Sequence, residues 1–231
     1  MMKANLKNEM VKRNFFKWLK EANGCCNATV NSVEKAILIY EDFTSLMDFV
    51  TFNSEKAIEF KKWLQKRQTK GKPLSVTTYC TYLRYLHKFF LWLSWQPGYK
   101  SKITIDTVDY LKPLGKEERI ATQYIPRNFP PLEYVIKLAG AIKINSEIDK
   151  RDRAMISFTL LSGMRDKAIV SLPLGCFDEN ELTINQSPKL GVQTKFSKHI
   201  PTTLFIFDNT LLDYVIEWVK LLKSKGCGSQ D

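Results

Sequence analysis

The chain has 231 residues and a formal net charge of +11 at pH 7. This length allows one large domain or two small ones. With 44% hydrophobic and 26% charged residues, the composition excludes wholesale disorder. No apolar run approaches the ~20 residues that a membrane-spanning helix needs, and the polar N-terminus lacks the apolar stretch of a secretory signal. We therefore expect a soluble, basic, cytoplasmic protein.

The first part of the chain has the apolar spacing of a helical bundle. Apolar residues recur at steps of three and four over residues 32–50 and again over 54–67, where Ser54 is the expected N-cap. A basic turn over residues 68–73 precedes a third helix that begins at Ser75 and stops before Gln96. The hydroxyls and backbone N–H groups at the start of this helix could meet a phosphate.

Positive charge is concentrated in this first part. Residues 1–100 carry a balance of +9 and residues 101–231 a balance of +2. No Asp or Glu occurs in the 46 residues between Glu59 and Asp106, which hold ten Lys and Arg. A basic segment without counter-charges favours a phosphate backbone. A solvated helix face is the alternative, and an anionic membrane surface is less favoured because the aromatic residues fall at core spacing.

Residues 101–130 are the expected linker, because proline and glycine recur there with weak periodicity. Beyond them, the pattern predicts helices over 132–144, 148–162, 166–172 and 211–222, and short strands over 182–184, 192–194 and 199–201. The predicted fold is mainly α: a helical domain over residues 1–100 and a mostly helical domain with a small antiparallel sheet over 131–231.

Cysteine and histidine residues exclude several chemistries. The five cysteines include no C-x-x-C pair, and with only two histidines no zinc-ligand spacing can be assembled. The sequence also lacks the glycine-rich nucleotide-binding loops and the G-x-S-x-G nucleophile elbow. We expect no metal and no nucleotide cofactor.

The segment with the most specific chemistry lies at residues 151–172. An apolar helix there is predicted to end at Gly163, which can take the positive φ of a helix C-terminus, and Arg165 follows where the next helix begins. The planar guanidinium can hold two non-bridging phosphate oxygens at once, which a lysine cannot. A surface arginine in a helix turn is the alternative interpretation.

This segment, R-D-R-A…T-L-L-S-G-M-R…S-L, resembles the tyrosine recombinases (phage integrases) at their first catalytic arginine. Residues 193–201 resemble the β-hairpin that carries the family's catalytic lysine, residues 130–135 the opening of its catalytic domain, and residues 30–96 its helical, SAM-like core-binding domain. The resemblance covers roughly residues 30–222. It implies cleavage of DNA by a tyrosine hydroxyl through a covalent 3′-phosphotyrosine, with no metal or nucleotide. Arg165 would then neutralise the transition state and Lys195 would protonate the leaving 5′-oxygen, with Lys198 as a second candidate.

The sequence departs from the family pattern after the hairpin. No histidine follows His199 and no arginine follows Arg165, so the family's H-x-x-R motif is missing. Tyr214 is the one tyrosine after the hairpin, but its core spacing argues against a nucleophile. Ala168 stands where the family often has a carboxylate. The resemblance therefore predicts the front part of an integrase, either a deliberate fragment or a truncated gene product, inactive by itself.

The leading hypothesis is the DNA-binding portion of a site-specific recombinase whose two domains close around double-stranded DNA. The resemblance implies a homotetramer that forms on DNA, and leaves open whether the free chain is a monomer. A non-catalytic DNA-binding regulator or architectural protein with an integrase-like fold is the alternative, and a helical protein-interaction domain is a third. The expected contacts with the DNA backbone are Lys61, Lys70, Lys72, Ser75, Thr77, Thr78 and Arg84.

Overall fold

The computed structural model describes residues 5–69, 71–126 and 128–230. The chain divides into two compact units, Met1–Pro126 (unit 1) and Arg127–Asp231 (unit 2). It is mainly helical with small antiparallel sheets, which confirms the predicted fold class. Within the described ranges, no helix is long and apolar enough to cross a membrane.

Unit 1 is a helical bundle whose helices begin at side-chain caps. Asn5, Ser75 and Thr104 each accept a hydrogen bond from a backbone N–H in the first turn of α1, α4 and α5. Asn53, rather than the expected Ser54, caps α3 through the N–H of Lys56 at 2.8 Å. The helices are α1 Leu6–Glu21, α2 Asn27–Thr44, α3 Ser54–Lys66, α4 Val76–Leu93, α5 Ile105–Asp109 and α6 Gly115–Thr122.

An aromatic core joins these helices. Phe90 of α4 stacks on Phe52 with ring centroids 4.0 Å apart and meets Tyr40 of α2 edge-on at 5.1 Å. Phe89 contacts Phe15 of α1 in the same way at 5.1 Å. Offset and edge-on pairs of this kind add to the hydrophobic stabilisation of burial. The apolar period of α4 predicts an inward face, and of its residues Val76 is exposed while the others are buried: Tyr79, Leu83, Leu86, Phe90 and Leu93.

A buried polar cluster fixes α1 to α2. Lys12 Nζ lies 2.7 Å from the carboxylate of Glu41 and 2.6 Å from that of Glu9. Asn8 donates to the other Glu41 oxygen at 3.2 Å and accepts from the N–H of Phe49 at 3.2 Å. Every polar group of the cluster is therefore paired, as a buried charge requires.

A short hairpin follows α3 where the sequence predicts a basic turn. Its strands, β1 Gln68–Thr69 and β2 Lys72–Pro73, pair antiparallel, and Gly71 has a φ of +73°. This is the left-handed conformation that glycine adopts without steric cost. Lys70, an expected DNA contact, lies outside the described residues.

The segment expected as a linker contributes to unit 1. Helices α5 and α6 occupy residues 105–122 and pack against α4, and Ile103, Val108 and Leu111 join the aromatic core. These apolar side chains are too widely spaced to show a long helical period, which is why the segment resembles a linker in sequence. The division into two domains at the predicted boundaries stays a prediction.

Unit 2 packs helices against a three-stranded sheet. Strands β3 Phe177–Asp178, β4 Thr183–Gln186 and β5 Ile200–Thr203 are antiparallel in the order β3-β4-β5, with Gln186 opposite Ile200. Leu161, Ala168 and Val192 are among the residues of its apolar core. The helices are α7 Leu132–Gly140, α8 Glu147–Ser162, α9 Asp166–Val170 and α10 Asn209–Ser224.

The strand predicted over residues 192–194 is wrong. Val192 is buried, but its N–H donates to the carbonyl of Ser187 at 3.3 Å and its carbonyl accepts from the N–H of Thr194 at 3.0 Å. These local bonds satisfy the backbone without a neighbouring strand. The long connection from β4 to β5 therefore runs through turns.

Candidate nucleic-acid interface

The basic edge of unit 1 comprises α3, the β1–β2 hairpin and the first half of α4. Lys62 and Lys66 are one helical turn apart on α3, and both are exposed. Lys72 is exposed on β2. Among the described residues, these three lysines form no ion pair. A phosphate can reach these three side chains without displacing a carboxylate.

Lys61 is not an open contact, although the sequence predicts one. Its Nζ donates to the backbone carbonyl of Lys112, at 2.5 Å, in the α5–α6 connection. Burial lowers the pKa of Lys61 below its usual value, and the negative charge of Glu117 offsets part of that effect. Its side chain therefore holds the connection in place.

Arg84 is also engaged within unit 1. Its Nη2 lies 3.4 Å from the carboxylate of Glu118 on α6, and both side chains are about half exposed. The neighbouring Glu117 accepts a hydrogen bond from Gln65 at 3.0 Å. Helix α6 thus brings two carboxylates to a segment that carries none in its own sequence.

The hydroxyl groups at the start of α4 make internal contacts too. Ser75 Oγ caps the helix by accepting from the N–H of Thr78 at 3.2 Å and lies 2.8 Å from the Thr78 hydroxyl. Thr77 donates to the carbonyl of Ala121, the penultimate residue of α6, at 3.3 Å. A phosphate that binds these hydroxyls would therefore compete with the helix cap and, at Thr77, with the contact to α6.

Helix α6 is held mainly by polar contacts. None of its residues is fully buried, although Ala121 contacts the aromatic core. A cleft of about 640 Å³, lined by Lys61, Gln65, Tyr79 and Glu117 among others, lies beside the α5–α6 connection. An element with little buried apolar surface separates from its neighbours at low cost.

In unit 2, the structure places Arg165 as the sequence predicts. Helix α8 ends at Gly163, whose φ is +59°, and Arg165 is the N-cap residue of α9. Met164 between them is buried, whereas the Arg165 side chain is exposed and forms no ion pair with any described residue. The buried methionine fixes the turn, and the guanidinium faces solvent.

Lys195 and Lys198 lie in the connection from β4 to β5. Both are exposed, and neither forms an ion pair within the described ranges. They are the first and last residues of a tight turn over residues 195–198. Thr194, just before the turn, donates from its Oγ1 to the carbonyl of Lys198 at 2.6 Å. Lys195 is therefore carried on a turn between two antiparallel strands rather than at the end of a strand.

The arginine and lysine segments are joined directly. The N–H of Gln193 donates to Ser171 Oγ at 2.8 Å, and Ser171 is the C-cap of α9, the helix that Arg165 begins. Val192 packs in the same apolar core as Met164. The structure thus ties together two segments that are 30 residues apart in sequence, Arg165 to Lys195.

Tyr214 belongs to the packing of α8 against α10. The guanidinium of Arg153 lies 4.0 Å from the centre of the tyrosine ring and donates to Glu217 at 2.8 Å. A hydrogen bond from Lys150 is the largest of the contacts that lower the pKa of Glu217. The half-buried tyrosine ring is therefore covered on one face by Arg153, which Glu217 in turn holds, a contact that the sequence spacing does not indicate.

Two further groups of side chains, the possible metal ligands and the cysteine thiols, bear on the chemistry available to the chain. Across the described part of the chain, no three His, Cys, Asp or Glu side chains come together as a metal site. Burial raises the pKa of the thiols of Cys80 and Cys176, which makes them poor nucleophiles.

Comparisons with known proteins give a weak structural likeness. No protein-family model matches the sequence, and no curated protein does. Among solved structures, the integrase from mycobacterium phage Brujita is 18% identical and superposes with a TM-score of 0.32, over 90% of this chain and 61% of that one. XerA recombinase is 15% identical with a TM-score of 0.33, over 94% and 65%. The chain thus spans less than two thirds of either structure, and at such scores the likeness carries no argument.

Proposed function

We propose that this chain is the DNA-binding portion of a tyrosine-type site-specific recombinase. One observation carries the proposal: Arg165 and Lys195, the two residues that the sequence resemblance marks as catalytic, are both exposed, and their segments are joined by the Gln193–Ser171 hydrogen bond. An arginine and a lysine that have no carboxylate partner are both available for charge-assisted hydrogen bonds to phosphate oxygens.

The proposed chemistry follows from the two side chains. The Arg165 guanidinium binds two non-bridging oxygens of the scissile phosphate and neutralises the charge that develops in the transition state. Lys195 gives its proton to the leaving 5′-oxygen, and Lys198 is the second candidate for that proton. The attacking hydroxyl is not assigned to this chain, because Tyr214 lies beneath Arg153.

Phosphate contacts in unit 1 add affinity rather than sequence preference. We assign this role to Lys62, Lys66 and Lys72 in place of Lys61, since they are exposed without ion pairs and Lys61 is engaged. The Arg84 side chain contributes when it leaves Glu118.

The test is a salt titration of binding to a labelled DNA duplex. We expect log K to fall linearly with log[salt], because each neutralised phosphate releases counterions. Arg165→Gln should weaken binding to all duplexes and reduce the slope by about one.

Arg151→Gln is the matched control for Arg165→Gln. Arg151 is an exposed arginine of the same unit whose guanidinium is bound by Asp152 at 2.7 and 2.9 Å, so its loss should leave the slope unchanged. A flat dependence of log K on log[salt] for the native chain would refute DNA binding. A slope that both variants leave unchanged would refute the assignment of Arg165.

A further inference from the structure

A second stretch of the chain also lacks carboxylates. The 26 residues between Glu181 and Asp208 contain no Asp or Glu but hold Lys189, Lys195 and Lys198. None of these lysines has an ion-pair partner within the described residues. Unlike the basic edge of unit 1, this stretch is not neutralised by carboxylates brought in from elsewhere in its unit.

Phe196 is presented to solvent at the tip of this stretch. Its side chain is 78% exposed, and its backbone has φ +61° and ψ 24°, a left-handed conformation that bulky residues rarely adopt. The next residue, Ser197, also has a positive φ of 50°. Such strain persists only where the surroundings impose it, and it clusters at functional sites.

The turn below the ring is well anchored. Thr194 bonds to the carbonyl of Lys198 through its hydroxyl, at 2.6 Å, and to the N–H of Ser197 through its carbonyl, at 3.2 Å. Val192, four residues before the ring, is buried in the core of unit 2. The exposure of Phe196 is thus imposed by a fixed turn rather than by a loose loop.

The surroundings of the ring select its partner. Lys195 Nζ lies 5.1 Å from the ring centre, and Lys198 follows at the end of the turn, two residues after the ring. A partner that fits needs a flat apolar surface with negative charge on both sides, which is the arrangement of a nucleobase between its phosphates. An anionic membrane would instead call for a broad apolar face, and this turn offers a single ring.

We propose that Phe196 is a base-contacting side chain that enters a base step of duplex DNA while Lys195 and Lys198 hold the adjacent phosphates. This inference rests on the proposed function and deepens it: binding through the 195–198 turn depends on how easily the duplex deforms as well as on its phosphate backbone. Apolar wedges of this kind unstack a base step, and flexible pyrimidine–purine steps yield most easily. Phe196 therefore favours sites with such a step at the point of contact.

The experiment compares duplex affinities of Phe196→Ala, Phe196→Gly and a matched control, Phe205→Ala. Phe205 is also exposed, at 74%, but it packs near Phe207 at a centroid distance of 6.0 Å and has no lysine beside it in sequence. Losing one base–aromatic contact corresponds to a rise in Kd of about 5- to 150-fold. Phe196→Gly keeps the fold intact because glycine accepts the positive φ.

A second measurement detects the insertion itself. A duplex with 2-aminopurine at a central pyrimidine–purine step should change its fluorescence when the native chain or Phe205→Ala binds, and should not change with Phe196→Ala at saturating protein. If the Phe196 variants bind as tightly as the native chain and leave the fluorescence change intact, the inference is wrong while DNA binding stands. If Phe196→Ala loses binding to phosphatidylserine vesicles and not to DNA, the partner is a membrane surface.

Discussion

Neutralising Glu118 on α6 should strengthen DNA binding by unit 1. Arg84 lies 3.4 Å from the Glu118 carboxylate, and the pair must separate before the guanidinium can meet a phosphate. At 3.4 Å in water, two unit charges attract with about 1.2 kcal/mol, and physiological salt reduces this to about 0.8 kcal/mol. That value lies within the range measured for exposed ion pairs. Glu118→Gln should therefore raise affinity about fourfold.

The assay is fluorescence anisotropy with a labelled duplex over a range of salt. Releasing Arg84 for one more phosphate should also steepen the slope of log K against log[salt] by about 0.9. Glu34→Gln on α2 is the matched control, since it removes the same charge from an exposed position away from α6. It reports the effect of net charge alone.

A double-mutant cycle isolates the pair. In an Arg84→Gln background, Glu118→Gln should raise affinity no more than Glu34→Gln does, because no guanidinium remains to be released. Equal effects of Glu118→Gln and Glu34→Gln in the native background would refute the release of Arg84. Weaker binding by Glu118→Gln would refute it as well, and would mean that α6 supports the DNA-binding surface instead of covering it.

Three further predictions concern the folded chain. Glu41→Gln should lower the free energy of unfolding in urea by about 3 kcal/mol, because it leaves the buried Lys12 with Glu9 as its one carboxylate. Burial alone would lower the pKa of Lys12, but the hydrogen bonds to Glu41 and Glu9 outweigh it and raise the pKa. The stabilisation by this cluster is therefore present below pH ~10.5 and should fall as the pH rises beyond it. Equal unfolding midpoints of the native chain at pH 9 and 11 would contradict this. Gly163→Ala should lower the free energy of unfolding by about 1 kcal/mol, because alanine is strained at a φ of +59°. The added methyl group meets no neighbouring atom, so no clash adds to this loss, and an unchanged urea midpoint would refute the strain. Tyr214 should form no covalent adduct with a nicked suicide duplex, and a denaturation-resistant band lost in Tyr214→Phe would overturn this.

Helix ends were predictable from the sequence where neighbouring residues determine them. The cap at Ser75 and the left-handed Gly163 follow from residue type and from the apolar period on one side of each. The exposure of Arg165 follows from that same helix end. The choice of Ser54 over Asn53 as a cap failed because neighbouring residues compete for one position and differ little in preference.

Contacts between distant segments were not predictable in the same way. Nothing near Lys61 in sequence indicates that its ammonium group meets the carbonyl of Lys112, 51 residues on. The sequence predicts a break between strands near Phe196, but it does not predict the positive φ of Phe196 and Ser197 or the exposure of the ring. The sequence did contain an indication of this surface, because residues 182–207 lack Asp and Glu just as residues 60–105 do.

The two carboxylate-free stretches differ in what a phosphate would meet. The longer one, in unit 1, loses part of its charge to α6 and the α5–α6 connection, since Arg84 pairs with Glu118 and Lys61 donates to the carbonyl of Lys112. The shorter one, in unit 2, keeps Lys195 and Lys198 exposed around Phe196. Charge counted along the sequence therefore overstates the positive charge that a phosphate meets on the unit 1 surface and understates it on the unit 2 surface. A phosphate that reaches Lys195 and Lys198 displaces no carboxylate of unit 2, whereas one that reaches Arg84 must compete with Glu118 of α6.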